Sequence, residues 1–529
     1  MRYFIFFFLF TVQVVTAQPV RFSTAGFYQL ANTGREVYSM NQAWKFIKSD
    51  VVGDPHAWAF DDSAWEVVSV PHGLEYLPLD ASGGINYQGV SWYRKRFTPE
   101  NKLQGKRLFL HFEAIMGKSK IWVNGMFAGE HYGGYLPVII DVTDLLEFGK
   151  ENVIAVKTDN SDDPDYPIGK PQNLLDFTYF GGIYRDCWLV AHNDVYITDP
   201  NYENEVAGGG LFVSYDKVSE QSALVNLKAH IRNAGSRNRD VSVLFELRLP
   251  DETVVQSTSK KLSVRKGRAA HVVDRMKVSQ PRLWSPDSPH LYYLDVTVRD
   301  EKGNRLDGYR QRIGIRSIEF KALSGLWING KPYQGKIMGT NRHQDFAVLG
   351  NALPNSIQWR DAKKLRDAGM KVIRTHYVID PAFMDACDEL GLFALVEVPG
   401  WQFWSNKPIF GERVCDDIRN MIRIHRNHAS LFFWEPILNE THYPKEFAEK
   451  ARKICDEEYP YPYSTASCDD GAAGDEYYSL LLRPRLNMLK PDKTYFVREW
   501  GDNVDDWNAQ NSNSRVARNW GESPMLIQA

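Results

Sequence analysis

Two glutamates, Glu440 and Glu499, each end a short apolar run. Glu440 follows Leu431-Phe-Phe-Trp-Glu-Pro-Ile-Leu-Asn439, and Glu499 follows Tyr495-Phe-Val-Arg498. A buried strand reads this way when its C-terminal end opens into a pocket. Two carboxyl groups facing one pocket suit hydrolysis of a glycosidic bond, where one protonates the leaving oxygen and the other works across the anomeric carbon. Glu440 is the acid/base candidate, because the apolar strand beneath it and the nearby Trp434 would supply the desolvation a general acid requires. Asn439 could hold a sugar 2-hydroxyl, a contact that strengthens in the transition state. Glu499 is preferred as the partner carboxylate over Glu522, which follows a polar, helix-like stretch.

Other polar residues also follow strand-like runs: Asn341, Arg342, His343 and Asp345; Arg374, Thr375, His376 and Tyr377; then Glu397, with Trp401 and Trp404 just beyond. As a set at the ends of different strands they point to a site rather than to stability alone. A single histidine among them would more often be structural. Asp176, among aromatics in Asp176-Phe-Thr-Tyr-Phe-Gly-Gly-Ile-Tyr-Arg-Asp186, reads either as a turn cap or as a substrate contact.

These residues need a scaffold, and the fold class expected is multidomain β plus α/β. Residues 18–193 alternate in short strands, with Asn124-Gly125 as a hairpin signal, and predict a two-sheet jelly roll. Residues 194–319 predict an immunoglobulin-like sandwich of about seven strands, a spacer without chemistry of its own. Its segment 281–292 is proline-rich and must be extended or turn-like. From residue 320 onward strands and helices alternate: strands at 336–339, 371–374, 392–398, 431–438, 463–467 and 495–497, helices at 356–368, 381–390, 413–425 and 445–458. Repeated βα units of this kind predict a (β/α)8 barrel.

A chain of 529 residues exceeds one hydrophobic core and implies several domains. The formal net charge of −3 gives no reason to expect nucleic acid or an anionic membrane as partner. Residues 1–17 pair Arg2 with an apolar run and a small-residue cleavage site, which predicts a signal peptide and a secreted, periplasmic or extracellular protein. The five cysteines are widely spaced without a Cys-x-x-Cys pair, so they read as buried small apolar residues rather than a disulfide framework or zinc site. No cofactor motif is found, and no motif fixes the oligomeric state; a homo-oligomer is compatible with the sequence.

The chain resembles glycoside hydrolase family 2, the β-galactosidase, β-glucuronidase and β-mannosidase family. The domain order is similar to that family's, and so are Gly181-Gly-Ile-Tyr-Arg185, Leu283-Trp-Ser-Pro286, Asn341-Arg-His343, Arg374-Thr-His-Tyr377, His425-Arg-Asn-His428, Asn439-Glu440 and Glu499-Trp-Gly501. The resemblance implies a retaining double displacement with Glu499 as nucleophile and Glu440 as acid/base. It implies sugar contacts from Asp176, His343 and His376, with the β-galactosidase branch nearest. Val398-Pro-Gly-Trp-Gln-Phe-Trp404 departs from the metal-ligand pattern of metal-dependent members, so no magnesium site is expected beside Glu440. The Asn-Lys pair of glucuronidases has only a weak counterpart in Asn406-Lys407. The sequence reaches Ala529 about 210 residues into a domain that typically takes about 250, so the barrel is expected to lack its last unit. A non-catalytic carbohydrate-binding protein is the competing expectation.

Overall fold

The computed structural model describes residues 27–76, 86–168, 170–174, 178–346, 348–482 and 489–499. The leader-like residues 1–17, Asp176, Trp500 and Glu522 lie outside them.

Alternating residues build the first layers. A six-stranded antiparallel sheet runs in the order Glu66–Val68, Trp44–Ile47, Val90–Phe97, Asn152–Asp159, Gly117–Val123, Met126–Gly133. It faces a four-stranded sheet ordered Glu36–Ser39, Cys187–His192, Arg107–Phe112, Val138–Asp141. Trp44, Leu110, Phe112, Ile121 and Val156 fill the space between them, giving the expected jelly roll. The hairpin turns at Asn124 and Gly125, both at positive φ (51° and 81°), a conformation Asn and Gly adopt at little cost.

Two four-stranded sheets then form the sandwich, one from Val195–Ile197, Ser222–Asn233, Leu211–Asp216 and Arg268–Ser279, the other from Val254–Val264, Arg239–Arg248, Tyr292–Asp300 and Arg305–Ile313. Every second residue of the central strands is buried, Leu227, Phe245 and Val296 among them. The proline-rich segment bends into a miniature hairpin, Trp284–Ser285 against Ser288–Pro289. Trp284 leaves its own domain: it is fully buried, donates Nε1–H to the Asp388 carbonyl (2.9 Å) and packs on Phe393.

The third domain is a parallel sheet interleaved with helices. Its elements are β1 (Gly339–Asn341), α1 (Asn355–Asp367), β2 (Val372–Arg374), α2 (Pro381–Leu390), β3 (Phe393–Glu397), α3 (Pro408–His425), β4 (Leu431–Glu435), α4 (Lys445–Glu458), β5 (Ser467–Asp469), β6 (Leu480–Leu482) and β7 (Thr494–Phe496). β1 to β4 pair in parallel in that order, as do β5 to β7, and a parallel bridge from Trp434 to Ala466 joins the two groups. The described residues thus supply seven of the eight strands that close such a barrel. All five cysteines are buried and unpaired.

Local chemistry explains the departures from the expected bounds. β4 stops at Glu435, short of Leu438, because Pro436 has no N–H to extend the ladder. α3 begins at Pro408 rather than 413: the proline suits the first helical turn, and Gly411 inside it disguises the start. The strand expected at 463–467 forms later, at Ser467–Asp469, because the backbone first turns, Ser464 N–H donating to the Tyr461 carbonyl (2.9 Å), while the Tyr463 hydroxyl takes the Tyr215 amide of the sandwich (2.6 Å). β6 was not anticipated, although three consecutive leucines are what a strand buried on both faces looks like.

Trp284→Ala is expected to destabilise the barrel by about 3–5 kcal/mol, since it empties a site that cannot collapse without separating two domains. Denaturant unfolding followed by barrel tryptophan fluorescence would show this; a change under about 1 kcal/mol would contradict the role of the docked indole.

Candidate active site

Arg374, last residue of β2, sits where β3, β4 and the segment after β7 converge. Its guanidinium lies 2.6 Å from Glu397 Oε2, 3.2 Å from Glu435 Oε2 and 2.5 Å from Glu499 Oε1. All but Glu499 are almost fully buried. The Arg374–Glu397 approach is close but out of hydrogen-bond alignment. Burial pushes the Glu397 carboxyl well above the usual range, opposed by Arg374 and reinforced by Glu435. Arg498 completes the floor with bonds to Glu435 and to Asp469 Oδ2 (3.1 Å).

Glu499 is held from three sides. Besides Arg374 it accepts from Asn341 Nδ2 (2.9 Å) and lies 3.3 Å from His376 Nε2. Burial pushes its carboxyl up, but the His376 contact and the Arg374 charge outweigh burial and hold it well below the usual range. Glu499 is therefore an ionised carboxylate at the mouth of the barrel. His376, buried, is held neutral with its pKa down at about 4, chiefly by desolvation and then by Arg374. His343 stacks on it, centroids 5.1 Å apart, and Tyr377 lies 3.4 Å from His343 Nδ1. Tyr377 in turn stacks on Tyr135 of the jelly roll at 4.4 Å and 6°. The first domain thus helps set the histidine pair.

Glu440 is placed differently. It follows β4 in a loop, half-buried, at a positive φ of 49°. Gln402, in the loop after β3, has the matching strain (φ 48°), and its backbone N–H donates to the Asn439 carbonyl (3.0 Å). Gln402 Nε2 donates to Glu440 Oε2 at 2.6 Å. Two strained non-glycine residues bound to each other mark a site whose geometry is imposed by its surroundings. Trp434 packs on Tyr459 in the barrel wall (6.3 Å), so the indole expected to shelter Glu440 is occupied elsewhere. Asn439 is 2% exposed, and neither its amide oxygen nor its nitrogen has a hydrogen-bond partner among the described residues. A cavity of about 450 Å³ opens here, bounded by Glu435, Ile437, Glu440, Tyr443, Asp469 and Arg498.

The candidate aromatics divide. Trp401 is buried, edge-on to His376 (6.3 Å), with the Lys170 ammonium 4.0 Å from its ring centre. Trp404, half-buried, packs on the helical layer against Phe410 (5.4 Å) and Phe447 (4.9 Å). Lys407 pairs with Asp165 of the jelly roll (2.5 Å) and so is committed to a domain contact. Arg342 is likewise turned away, onto Asp361 and Gln358. Sequence reasoning missed Glu435, Gln402 and Lys170 as site residues. Glu435 was recoverable, being the carboxyl at the true end of β4; Lys170 had no signal, since it comes from another domain.

Comparison with known proteins follows the same lines. Residues 26–193 match the model for the sugar binding domain of glycosyl hydrolases family 2, residues 208–316 the model named glycosyl hydrolases family 2, and residues 318–470 that family's TIM barrel domain. The chain is 35% identical over 434 residues to a β-galactosidase of Thermoanaerobacter pseudethanolicus, covering 80% of this chain and 54% of that protein. It is 30% identical to a β-glucuronidase of Formosa agariphila, covering 79% and 44%. Among solved structures, the Bacteroides uniformis β-glucuronidase superposes with a TM-score of 0.76 at 30% identity, covering 85% of this chain and 55% of that one. The chain therefore spans about half the length of the relatives it matches.

His376 gives this site a pH signature. Free histidine titrates near 6.5 and His376 near 4, so between those values the unfolded chain binds the extra proton. Stability is fully present above pH about 6.5 and is lost as pH falls toward 4, on the order of 3 kcal/mol from this residue. His376→Gln should flatten the stability–pH curve across that window; an unchanged slope would count against a neutral buried imidazole.

Proposed function

The chain belongs to glycosyl hydrolase family 2, and from that premise we propose that it is a retaining, exo-acting β-glycosidase, with β-galactosides as the favoured substrates. Glu499 attacks the anomeric carbon and forms a covalent glycosyl intermediate. Glu440 protonates the departing oxygen, then takes a proton from the water that releases the sugar. The observation that carries this reading is the state of Glu499: a nucleophilic carboxylate must be ionised and aimed, and Asn341, Arg374 and His376 supply that hold.

The surrounding groups suit a sugar ring. The buried, unpartnered amide of Asn439 fits the 2-hydroxyl, where a polar group left unsatisfied in the free protein gains its partner on binding. His343 and His376 offer ring nitrogens to other hydroxyls, and Trp401 an apolar face. Asp176 is assigned a hydroxyl contact on the family resemblance alone. The galactoside preference rests on the 35% identity to a β-galactosidase, with a uronide as the alternative suggested by the β-glucuronidase relatives. Residues 1–17 support a location outside the cytoplasm.

The test is turnover of an aryl β-galactoside by the full chain, with a 2-deoxy-2-fluoro galactoside as a trap. Glu499→Gln should lose about 10³-fold or more in kcat/KM, and the trapped sugar should map to the peptide containing Glu499. Azide should rescue Glu499→Ala to an α-glycosyl azide and Glu440→Ala to a β-glycosyl azide. Trapping on Glu522 would overturn the nucleophile assignment. Sugar binding without turnover of any aryl β-glycoside would favour the non-catalytic alternative.

A further inference from the structure

Lys170 belongs to the jelly roll, yet its ammonium reaches into the barrel. Nζ donates to Gln402 Oε1 at 2.7 Å, and the other end of the same amide donates to Glu440 Oε2 at 2.6 Å. Lys170 also lies over the Trp401 ring at 4.0 Å, and its backbone N–H donates to the Trp401 carbonyl at 3.0 Å. This is a chain of three side chains across a domain boundary, anchored on main chain at its start and on the strained Gln402–Glu440 pair at its end.

We infer that Lys170 is a positioning residue for Glu440, acting through Gln402 to decide which oxygen of Glu440 faces the leaving group; this rests on the reading of Glu440 as acid/base.

A glutamine amide is ambiguous by itself. Rotated by half a turn, it presents its oxygen where its nitrogen was, with little change in shape. Lysine removes the ambiguity because its ammonium has donors and no acceptor. It can bind only Oε1 of Gln402, which obliges Nε2 to face Glu440. With Oε2 accepting that N–H, the transferable proton of Glu440 resides on Oε1, the oxygen that meets the glycosidic bond. If Lys170 is removed, the amide is free to turn its oxygen toward Glu440. The proton is then drawn to Oε2 to bridge the two oxygens, away from the leaving group. The loss is specific to proton donation and should scale with how badly the leaving group needs a proton.

That scaling is the test, measured as kcat/KM so that only steps through glycosylation contribute. A phenyl β-galactoside leaves poorly without an acid; a 2,4-dinitrophenyl β-galactoside does not need one. Lys170→Met keeps the stem and its packing on Trp401 but deletes the donors. It should lower kcat/KM on the phenyl substrate about tenfold and on the dinitrophenyl substrate less than about twofold. Lys170→Arg, which keeps the donors, should recover most of the loss. Gln402→Leu should show the same selectivity, and Lys170→Met/Gln402→Leu should be no worse than Gln402→Leu, as for two parts of one device. Equal losses on both substrates, losses that multiply in the double variant, or no loss would each overturn the inference, and turnover of the dinitrophenyl substrate shows that a variant is folded. The underlying reading fails separately: if Glu440→Gln shows no leaving-group dependence, Glu440 is not the acid and this inference falls with it; if the unmodified chain turns over neither these galactosides nor the matching aryl glucuronides, the glycosidase reading itself fails.

Discussion

The guanidinium of Arg374 is the charge around which the third domain is arranged. It is buried, and a buried cation is tolerated only when its charge is answered and its donors are used. Glu435 and Glu499 accept hydrogen bonds from it and Glu397 approaches to 2.6 Å, each from a different part of the sheet. With Arg498 beside it, the floor holds two guanidiniums among three glutamates, and burial and Glu435 push the Glu397 carboxyl upward against the pull of Arg374. The result is an interlocked set spanning β2, β3, β4 and the residues after β7. Removing one partner from such a set costs about 3–5 kcal/mol, because the remaining charge is stranded. The arrangement therefore fixes the ends of four strand segments as firmly as the hydrogen bonds of the sheet.

The other two domains act on this platform from different directions. The sandwich braces it through the docked indole of Trp284, through Arg312 with Asp385 and Glu389, and through Arg316 on the Leu431 carbonyl (2.8 Å) at the start of β4. Those contacts fall on α2 and on the opening residues of β3 and β4, away from the strand ends that carry the site. The jelly roll engages the opposite features: Tyr135 on Tyr377, Arg185 with Asp380 and the Val378 carbonyl (2.9 Å), Lys170 on Trp401 and Gln402. A second domain that braces the strand starts and a first domain that reaches the site is the division these contacts describe.

Much of this was legible in the sequence where one physical cause dominated. Pro381 after Asp380, with Gly391 ten residues on, delimits α2 unambiguously, since the cap, the fixed φ of proline and the left-handed glycine all agree. Asn124-Gly125 fixes its hairpin for the same reason. Arg374, His376 and Glu499 could be nominated because a polar residue directly after an apolar run marks the point where a buried strand meets a pocket or solvent. The failures occur where two causes compete. Apolar continuity carried β4 to Leu438, and Pro436 overruled it. Lys170 was invisible, because a lysine in a loop becomes meaningful only when folding brings it to Gln402.

The two carboxyls at the mouth of the barrel are held by opposite means, and the contrast follows from what each is proposed to do. Glu499 is fixed by charge: a guanidinium, an amide and a ring nitrogen converge on it and keep it ionised. A nucleophile keeps one protonation state until it reacts, so ionic partners serve it. Glu440 must give up a proton and then take one back, and a cation in direct contact would favour one of those states at the expense of the other. The neutral amide of Gln402 holds it instead, and that amide can stay bound to Oε2 while Oε1 gains or loses the proton. Lys170 stands one amide further along, where its ammonium orients Gln402. The strained backbone at Gln402 and Glu440 is what this placement requires: ordinary loop conformations would not bring an amide from the β3 loop and a carboxyl from the β4 loop together over a lysine from another domain.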